Sequence, residues 1–167
     1  MIVPSRPLGY VRLDCEESGP IDPELLRKAF IVGALRQFDD DPRFGLVVLA
    51  EIGCRALSPG INDPGTAIGI LSLLHRLFAD WACPTEPATP DYDRVEVPAL
   101  STQEMFDDVF PAIARDGAGL IEVAMRVQRV LGELGHCGET HMHAIAEHHA
   151  AMAMARGERR LDFPPDL

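Results

Sequence analysis

Histidine, cysteine and glutamate side chains are concentrated near the C-terminus, where their types and spacing could bind a metal ion. Imidazole, thiolate and carboxylate groups are the ligands that zinc and similar ions prefer. Ligands on one helix must share a face, a condition that His141 with His148, or His143 with Glu147, satisfies. The His-Glu-x-x-His spacing of metalloproteases is absent, so a solvated helix is the favoured interpretation. The side chains concerned are His136, Cys137, Glu139, His141, His143, Glu147, His148 and His149.

A run of three acids, Asp39, Asp40 and Asp41, is a second group with the chemistry of a metal site. Carboxylates at a helix start also interact favourably with the helix dipole, so a solvated turn is the simpler interpretation. The sequence therefore leaves a metal-dependent hydrolase as the alternative hypothesis, with Asp40, Asp41, His141 and His148 as its ligands.

Residues 55–67, RALSPGINDPGTA, form the most informative stretch, because each residue suits a tight elbow between two helices. Pro59 ends the preceding helix, and Gly60 is expected to take a positive φ that Asn62 also tolerates. Asp63, followed by a proline, caps the next helix. The pattern predicts helix, elbow, helix.

The elbow could also bind an anion or a polar substrate group through free backbone N–H groups and nearby side chains. The candidate ligand-binding residues are Arg55, Ser58, Asn62, Asp63 and Thr66. A structural corner is the favoured alternative, since the Asp63 carboxylate already occupies the positive helix end and would repel an anion.

Asp-Pro pairs mark three helix starts, because each stands directly before a segment of apolar residues at helical spacing. They predict helices over about 23–38, 42–57 and 64–82. The second helix carries few charges, so we expect it at the centre of the fold with the third as its antiparallel neighbour. Gly65 and Gly69 are expected to serve close helix packing.

The second half of the chain predicts a loop and three more helices. Residues 83–100 are rich in proline and acids, although 94–97 and 8–13 could pair as a short two-stranded edge piece. Ser101 and Glu104 form a capping box before a helix that Pro111 kinks or restarts. Helices over about 118–134 and 139–156 follow, the first ending at Gly135 and the second at Gly157.

These elements predict an all-α fold, a compact bundle of five or six helices, in a single domain over residues 1–157. Residues 1–21 form an extended lead-in, and 158–167 a disordered tail. A chain of 167 residues with 47% hydrophobic content can bury a core of this size. We expect no cofactor.

Charge and cysteine content limit the partners and the compartment. The formal net charge of −11 argues against nucleic acid. The four cysteines show no paired spacing, which favours a reducing cytoplasm. No apolar run is long enough to span a membrane, and no signal peptide is recognisable.

The run from Arg36 through Phe44 and Gly45 to residues 55–67 is similar to one family, the predicted bacterial membrane proteins of domain-of-unknown-function family 2254. In that family, transmembrane helices precede a soluble region containing Asp-x-x-Phe-Gly, here 41–45. The signature Arg-Ala-Leu-Ser-Pro-x-Ile-Asn-Asp-Pro-x-Thr-Ala follows. The resemblance covers about 7–157, is strongest over 36–74, and implies no reaction.

The sequence departs from the family pattern in two ways. The sequence shows no transmembrane portion. Either it begins late, and we expect contact with a membrane only through a missing N-terminal region, or the protein is a stand-alone soluble relative. Val47 and Val48 stand where members often carry polar residues after Phe-Gly. The favoured hypothesis is a non-enzymatic, cytoplasm-facing interaction or oligomerisation domain. It would form homo-oligomers and could sense a small ligand at the elbow.

Overall fold

The computed structural model describes residues 10–11, 22–28, 30, 33, 41–83, 95–96, 98–137 and 140–161. The chain divides into two compact units, one made of residues 1–36 and 86–100 and the other of 37–85 and 101–167. Each unit is described by itself below. The prediction of a single domain over 1–157 stays a prediction.

The first unit contains one short helix and a two-stranded ladder. Strand β1 (Tyr10–Val11) pairs antiparallel with β2 (Val95–Glu96), which confirms the predicted edge piece. Helix α1 (Pro23–Lys28) begins where Asp22-Pro23 predicted. Its predicted extension to residue 38 is wrong at Phe30 and Gly33, which are not helical, and the rest of that segment lies outside the described residues. The Phe30 N–H donates to the Arg27 carbonyl in a closing turn.

The second unit is a bundle of five packed helices, as predicted for an all-α fold. They are α2 (Pro42–Ala56), α3 (Pro64–Ala82), α4 (Thr102–Asp116), α5 (Ile121–Leu134) and α6 (Thr140–Gly157). Each helix packs mainly against two others, in the order α2, α3, α5, α6, α4 and back to α2. Residues 158–161, part of the predicted tail, form a turn after α6.

Side-chain caps start three of the five helices, as the sequence predicted. The carboxylates of Asp41 and Asp63 accept hydrogen bonds from the N–H groups of Phe44 and Thr66, both at 3.0 Å. The Ser101 hydroxyl accepts from the Glu104 N–H at 3.3 Å. Each cap satisfies a backbone donor that has no partner within its helix.

Three phenylalanine rings form the densest part of the core, where α3 meets α4. The ring centroid of Phe106 lies 4.6 Å from that of Phe78 and 5.0 Å from that of Phe110. All three side chains are at most 1% exposed. Leu71 and Leu74 from α3 extend this core, which α5 completes with its valine and leucine residues.

Helix α4 continues through Pro111, so the predicted restart is wrong. Proline removes one hydrogen bond from the helix, but residues on both sides of it, Phe110 and Ile113 among them, are buried in the same core. The Pro111 carbonyl accepts a hydrogen bond from Arg156 Nη1 at 2.6 Å. Packing therefore holds the two halves of α4 in one helix.

The prediction that α2 and α3 lie at the centre is also wrong. Both helices form one wall of the bundle, and apolar side chains on their outer faces are exposed: Ile52 on α2, and Leu73, Leu77 and Trp81 on α3. The hydrophobic content of a helix shows how much of it can be buried, but not which neighbours are present to bury it.

His149 is the one buried polar residue among those described, at 3% exposure. Its ring lies against Phe106 and Phe110, with centroids 5.8 and 6.1 Å away. Its Nε2 atom is 3.2 Å from Asp107 Oδ1, in a contact not aligned as a hydrogen bond. Burial lowers the pKa of His149, opposed by Asp107 and reinforced by His148 and Arg156.

Replacing Phe106 by alanine is expected to lower the free energy of unfolding by about 3–5 kcal/mol, because it opens a cavity inside the ring cluster. Urea denaturation, monitored by circular dichroism, measures the free energy of unfolding. Met125→Ala, at a side chain that is 57% exposed, is the control and should change it by no more than about 0.5 kcal/mol. Equal losses in both variants would contradict the packing described.

Stability is expected to fall as the pH drops below about 6.5, because His149 then binds a proton more readily in the unfolded chain than in the folded chain. Urea denaturation at about pH 7.5 and about pH 5.5 measures the loss. His149→Gln should reduce it, whereas His141→Gln, at an exposed position on the same helix, should not. An unchanged loss in His149→Gln would show that another group is responsible.

Candidate functional site

The elbow between α2 and α3 is closed by backbone hydrogen bonds. The Ser58 carbonyl accepts from the N–H groups of Ile61 at 3.0 Å and Asn62 at 2.8 Å, and the Asp63 N–H donates to the Ala56 carbonyl at 2.8 Å. Asn62 takes a positive φ of 47°, whereas Gly60 does not. The expectation for Gly60 was therefore wrong. An asparagine in the left-handed region allows the chain to turn from the end of α2 into the cap of α3.

The polar side chains of the elbow bond to one another. Asp63 Oδ1 accepts from the Thr66 N–H at 3.0 Å, and Asp63 Oδ2 accepts from the Thr66 hydroxyl at 2.6 Å. The hydrogen bond from the Thr66 side chain is the main reason why the pKa of Asp63 lies below its usual range. The Ser58 hydroxyl donates to the Arg55 carbonyl at 2.7 Å. These bonds stabilise a corner, and a ligand at these residues stays a prediction.

The residues proposed as metal ligands do not form a cluster in the described part of the chain. Asp41 caps α2, and Asp40 lies outside the described residues. His141 and His148 are exposed on α6, and the His148 ring packs edge-on against His149 with centroids 5.6 Å apart. No group of three or more His, Cys, Asp or Glu side chains among the described residues could hold an ion.

An open groove between α2 and α3, to which α4 contributes Met105, was not predicted from the sequence. Its volume is about 660 Å³. Among the described lining residues, Asp80 alone has a charged side chain. The lining consists of Pro42, Gly45, Leu46, Val48, Leu49, Leu77, Phe78, Asp80, Trp81 and Met105.

Trp81, at one edge of the groove, is held in place and yet accessible. Its indole Nε1–H donates to the Thr102 hydroxyl at 3.2 Å, which ties the end of α3 to the start of α4. The side chain remains 47% exposed. Leu77, one turn earlier, is 42% exposed, and Leu73 and Ile52 continue the exposed apolar surface by one more turn along each helix. We call the groove with Ile52 and Leu73 the α2–α3 face.

Two glycines in the interiors of α2 and α3 have no packing role within the described residues. A Cβ atom added to Gly45 or Gly69 would meet no atom of the described residues within 4 Å, so the expectation that Gly69 serves close packing is wrong for this part of the chain. Glycine in a helix interior costs about 1 kcal/mol relative to alanine. By contrast, a Cβ at Gly117 would lie 2.4 Å from Val123 Cγ1, so the α4–α5 turn requires glycine.

Four exposed charged residues border the α2–α3 face. Glu51 and Arg55 lie on α2, and Arg76 and Asp80 lie on α3. None of them forms a salt bridge or a side-chain hydrogen bond with another described residue. Their charges cancel, in contrast to the net charge of −11 for the whole chain.

The sequence carried a signal for this face. Leu73, Leu77 and Trp81 recur every four residues, beside the stripe of Ala67, Leu71, Leu74 and Phe78 that the bundle buries. Two adjacent apolar stripes on one helix require two neighbours, and the described bundle covers only one of them.

The comparisons with known proteins place the chain in a family whose activity is not known. The family described as "Predicted membrane protein (DUF2254)" matches residues 1–133, and the chain belongs to this family. Uncharacterised proteins of Mycobacterium bovis and Mycobacterium tuberculosis are 42% identical over 60 residues, which is 36% of this chain. The aligned segment covers 11% of the length of these relatives. No solved structure matches the chain.

A family of predicted membrane proteins raises the question of membrane-spanning segments. Among the described residues, no helix combines the length and the apolar character needed to cross a bilayer.

Replacing Asn62 by alanine is expected to lower the free energy of unfolding by about 1 kcal/mol, because alanine lacks the short polar side chain through which asparagine tolerates a positive φ. Asn62→Gly should leave stability within about 0.5 kcal/mol of the original, since glycine adopts this conformation freely. Urea denaturation of both variants measures the difference. Equal stability of the two variants would contradict the elbow geometry.

Proposed function

We propose that the bundle is a protein interaction domain and that the α2–α3 face is its contact surface. The observation that carries this proposal is the open apolar groove, flanked by exposed Leu73, Leu77 and Trp81 on α3. Exposed apolar patches rimmed by charged residues are typical of binding surfaces. Covering these side chains would remove apolar area from water, which favours association.

The composition of the groove favours a protein over a small substrate as its occupant. Pockets for small molecules combine apolar walls with several polar groups that orient the ligand. Here Asp80 supplies the one charged side chain of the lining, and the indole N–H of Trp81 is already used by Thr102. Among the described residues, no acid–base pair or nucleophile lines the groove, which favours binding as its role.

Membership of a predicted membrane-protein family supports a location for this domain. It would be the soluble, cytoplasm-facing part of a longer membrane protein, where the exposed face is free to meet other proteins. The absence of paired cysteine spacing agrees with a reducing compartment. The charged rim around the face would keep the domain in solution while its apolar centre provides affinity.

A photo-crosslinking phenylalanine analogue at Val48, on the groove wall, is expected to form a covalent adduct with another protein chain when the variant is produced in bacterial cells. The same analogue at Met125, an exposed apolar position on α5, serves as the matched control and should give no such adduct. Denaturing gels followed by mass spectrometry identify the products. Crosslinks that form only within one copy of the chain, or equal yields of adduct at Val48 and Met125, would contradict this proposal.

A further inference from the structure

We propose that the partner on the α2–α3 face is a second copy of this chain, with the two α3 helices antiparallel across a two-fold axis at Leu77. This inference rests on the function proposed above, because it names the partner of that same face. Its basis is the order of apolar and charged residues along the exposed stripe of α3. In an antiparallel pair of α3 helices, this order places apolar residues opposite apolar residues and brings a positive residue of one copy near a negative residue of the other.

The apolar residues of the stripe match across such an axis. When two helices run antiparallel around residue 77, a residue four positions before it faces the residue four positions after it. Leu73 of each copy therefore packs against Trp81 of the other, and the two Leu77 side chains meet on the axis. The three side chains are 37%, 47% and 42% exposed in the single chain, so each has surface left to bury.

The charged residues of the stripe match in the same arrangement. Arg76 and Asp80 lie on one flank of the apolar row, and the two-fold operation brings like flanks together. Along the helix axis, Arg76 of one copy lies about 3 Å from the level of Asp80 of the other, and the two Arg76 residues are also about 3 Å apart. The two arginines thus stand between the two aspartates. Two symmetric ion pairs form, each between Arg76 of one copy and Asp80 of the other, and together they outweigh the repulsion between the arginines.

The same two residues are poorly placed to pair within one chain. Arg76 precedes Asp80 by four residues, and a cation that stands N-terminal to an acid on a helix is the weaker order. The structure shows no ion pair between them or with any other described residue. A partner of unrelated sequence could bind through charges opposite to those of Arg76 and Asp80. A second copy of this chain can form such ion pairs only if a positive and a negative residue lie on the same flank of the stripe. Arg76 and Asp80 meet that requirement.

Two features of α2 and α3 support close association of two such pairs of helices. The charges that border the face cancel, so the net charge of −11 on the chain is not concentrated where the copies would meet. Gly45, which lines the groove together with Trp81, leaves backbone uncovered on α2, and this permits a neighbouring helix to approach closely. Packing α2 and α3 of both copies together would form a four-helix interface.

The first test is the mass of the full chain in solution, measured by sedimentation velocity over a range of concentrations. We expect twice the chain mass of 18.3 kDa. Leu77→Arg places two like charges on the axis and should raise the dissociation constant at least about 30-fold. Met125→Arg, at an exposed position away from the face, is the control and should leave the mass unchanged. Circular dichroism checks that both variants are folded.

The second test identifies the partner through a charge exchange. Arg76→Asp and Asp80→Arg should each weaken the dimer at least about fivefold, because each places like charges opposite one another. The double variant restores opposite charges in a self-pairing interface and should bind within about twofold of the original chain. A double variant as weak as the single ones would overturn the proposed arrangement.

The outcomes also separate this inference from the function on which it rests. If the chain stays monomeric at every concentration and the Val48 variant crosslinks to a different protein, the proposal of a second copy is overturned. The proposal of an interaction domain is not. A monomer without crosslinks overturns both. A dimer that Leu77→Arg leaves intact overturns the axis at Leu77.

Discussion

The contact of Phe78 with Phe106 and Phe110 is the constraint on which the rest of the bundle depends. These rings join α3 to α4, and His149 of α6 closes the same cluster. Because Phe78 must point inward, the helical repeat fixes the direction of every other residue of α3. Leu74 is buried with it, and Leu77 and Trp81 are turned outward. The exposed face of α3 is thus a consequence of how the core is packed.

The elbow fixes α2 relative to α3 and so determines the shape of the groove. The Asn62 N–H donates to the Ser58 carbonyl within the elbow, and the Asp63 N–H donates to the carbonyl of Ala56, the last residue of α2. These bonds leave little freedom in the connection. Arg43 then ties the start of α2 to α4 through Asp108, at 2.8 Å, and through Glu104. With both ends of α2 held, its apolar residues face α3 across an open gap that the described residues of the bundle do not fill.

Local rules predicted much of this fold, and the errors arose where distant residues decide the outcome. The starts of α2 and α3 and the end of α5 followed from Asp-Pro pairs and a glycine, because caps act within a few residues. The continuity of α4 through Pro111 depends on core packing, which the sequence does not show. The groove was missed for the same reason: the sequence shows that Leu77 and Trp81 are apolar, but their exposure depends on which helices surround α3.

Trp81 offers the most direct measurement of the central claim, that a second copy covers the α2–α3 face. It is the only tryptophan in the chain, so all indole fluorescence comes from this face. Quenching by acrylamide should be weak at high protein concentration and rise on dilution, as the copies separate and the indole becomes accessible. Leu77→Arg should show the strong quenching at all concentrations. Quenching that is strong and independent of concentration in the original chain would contradict the account.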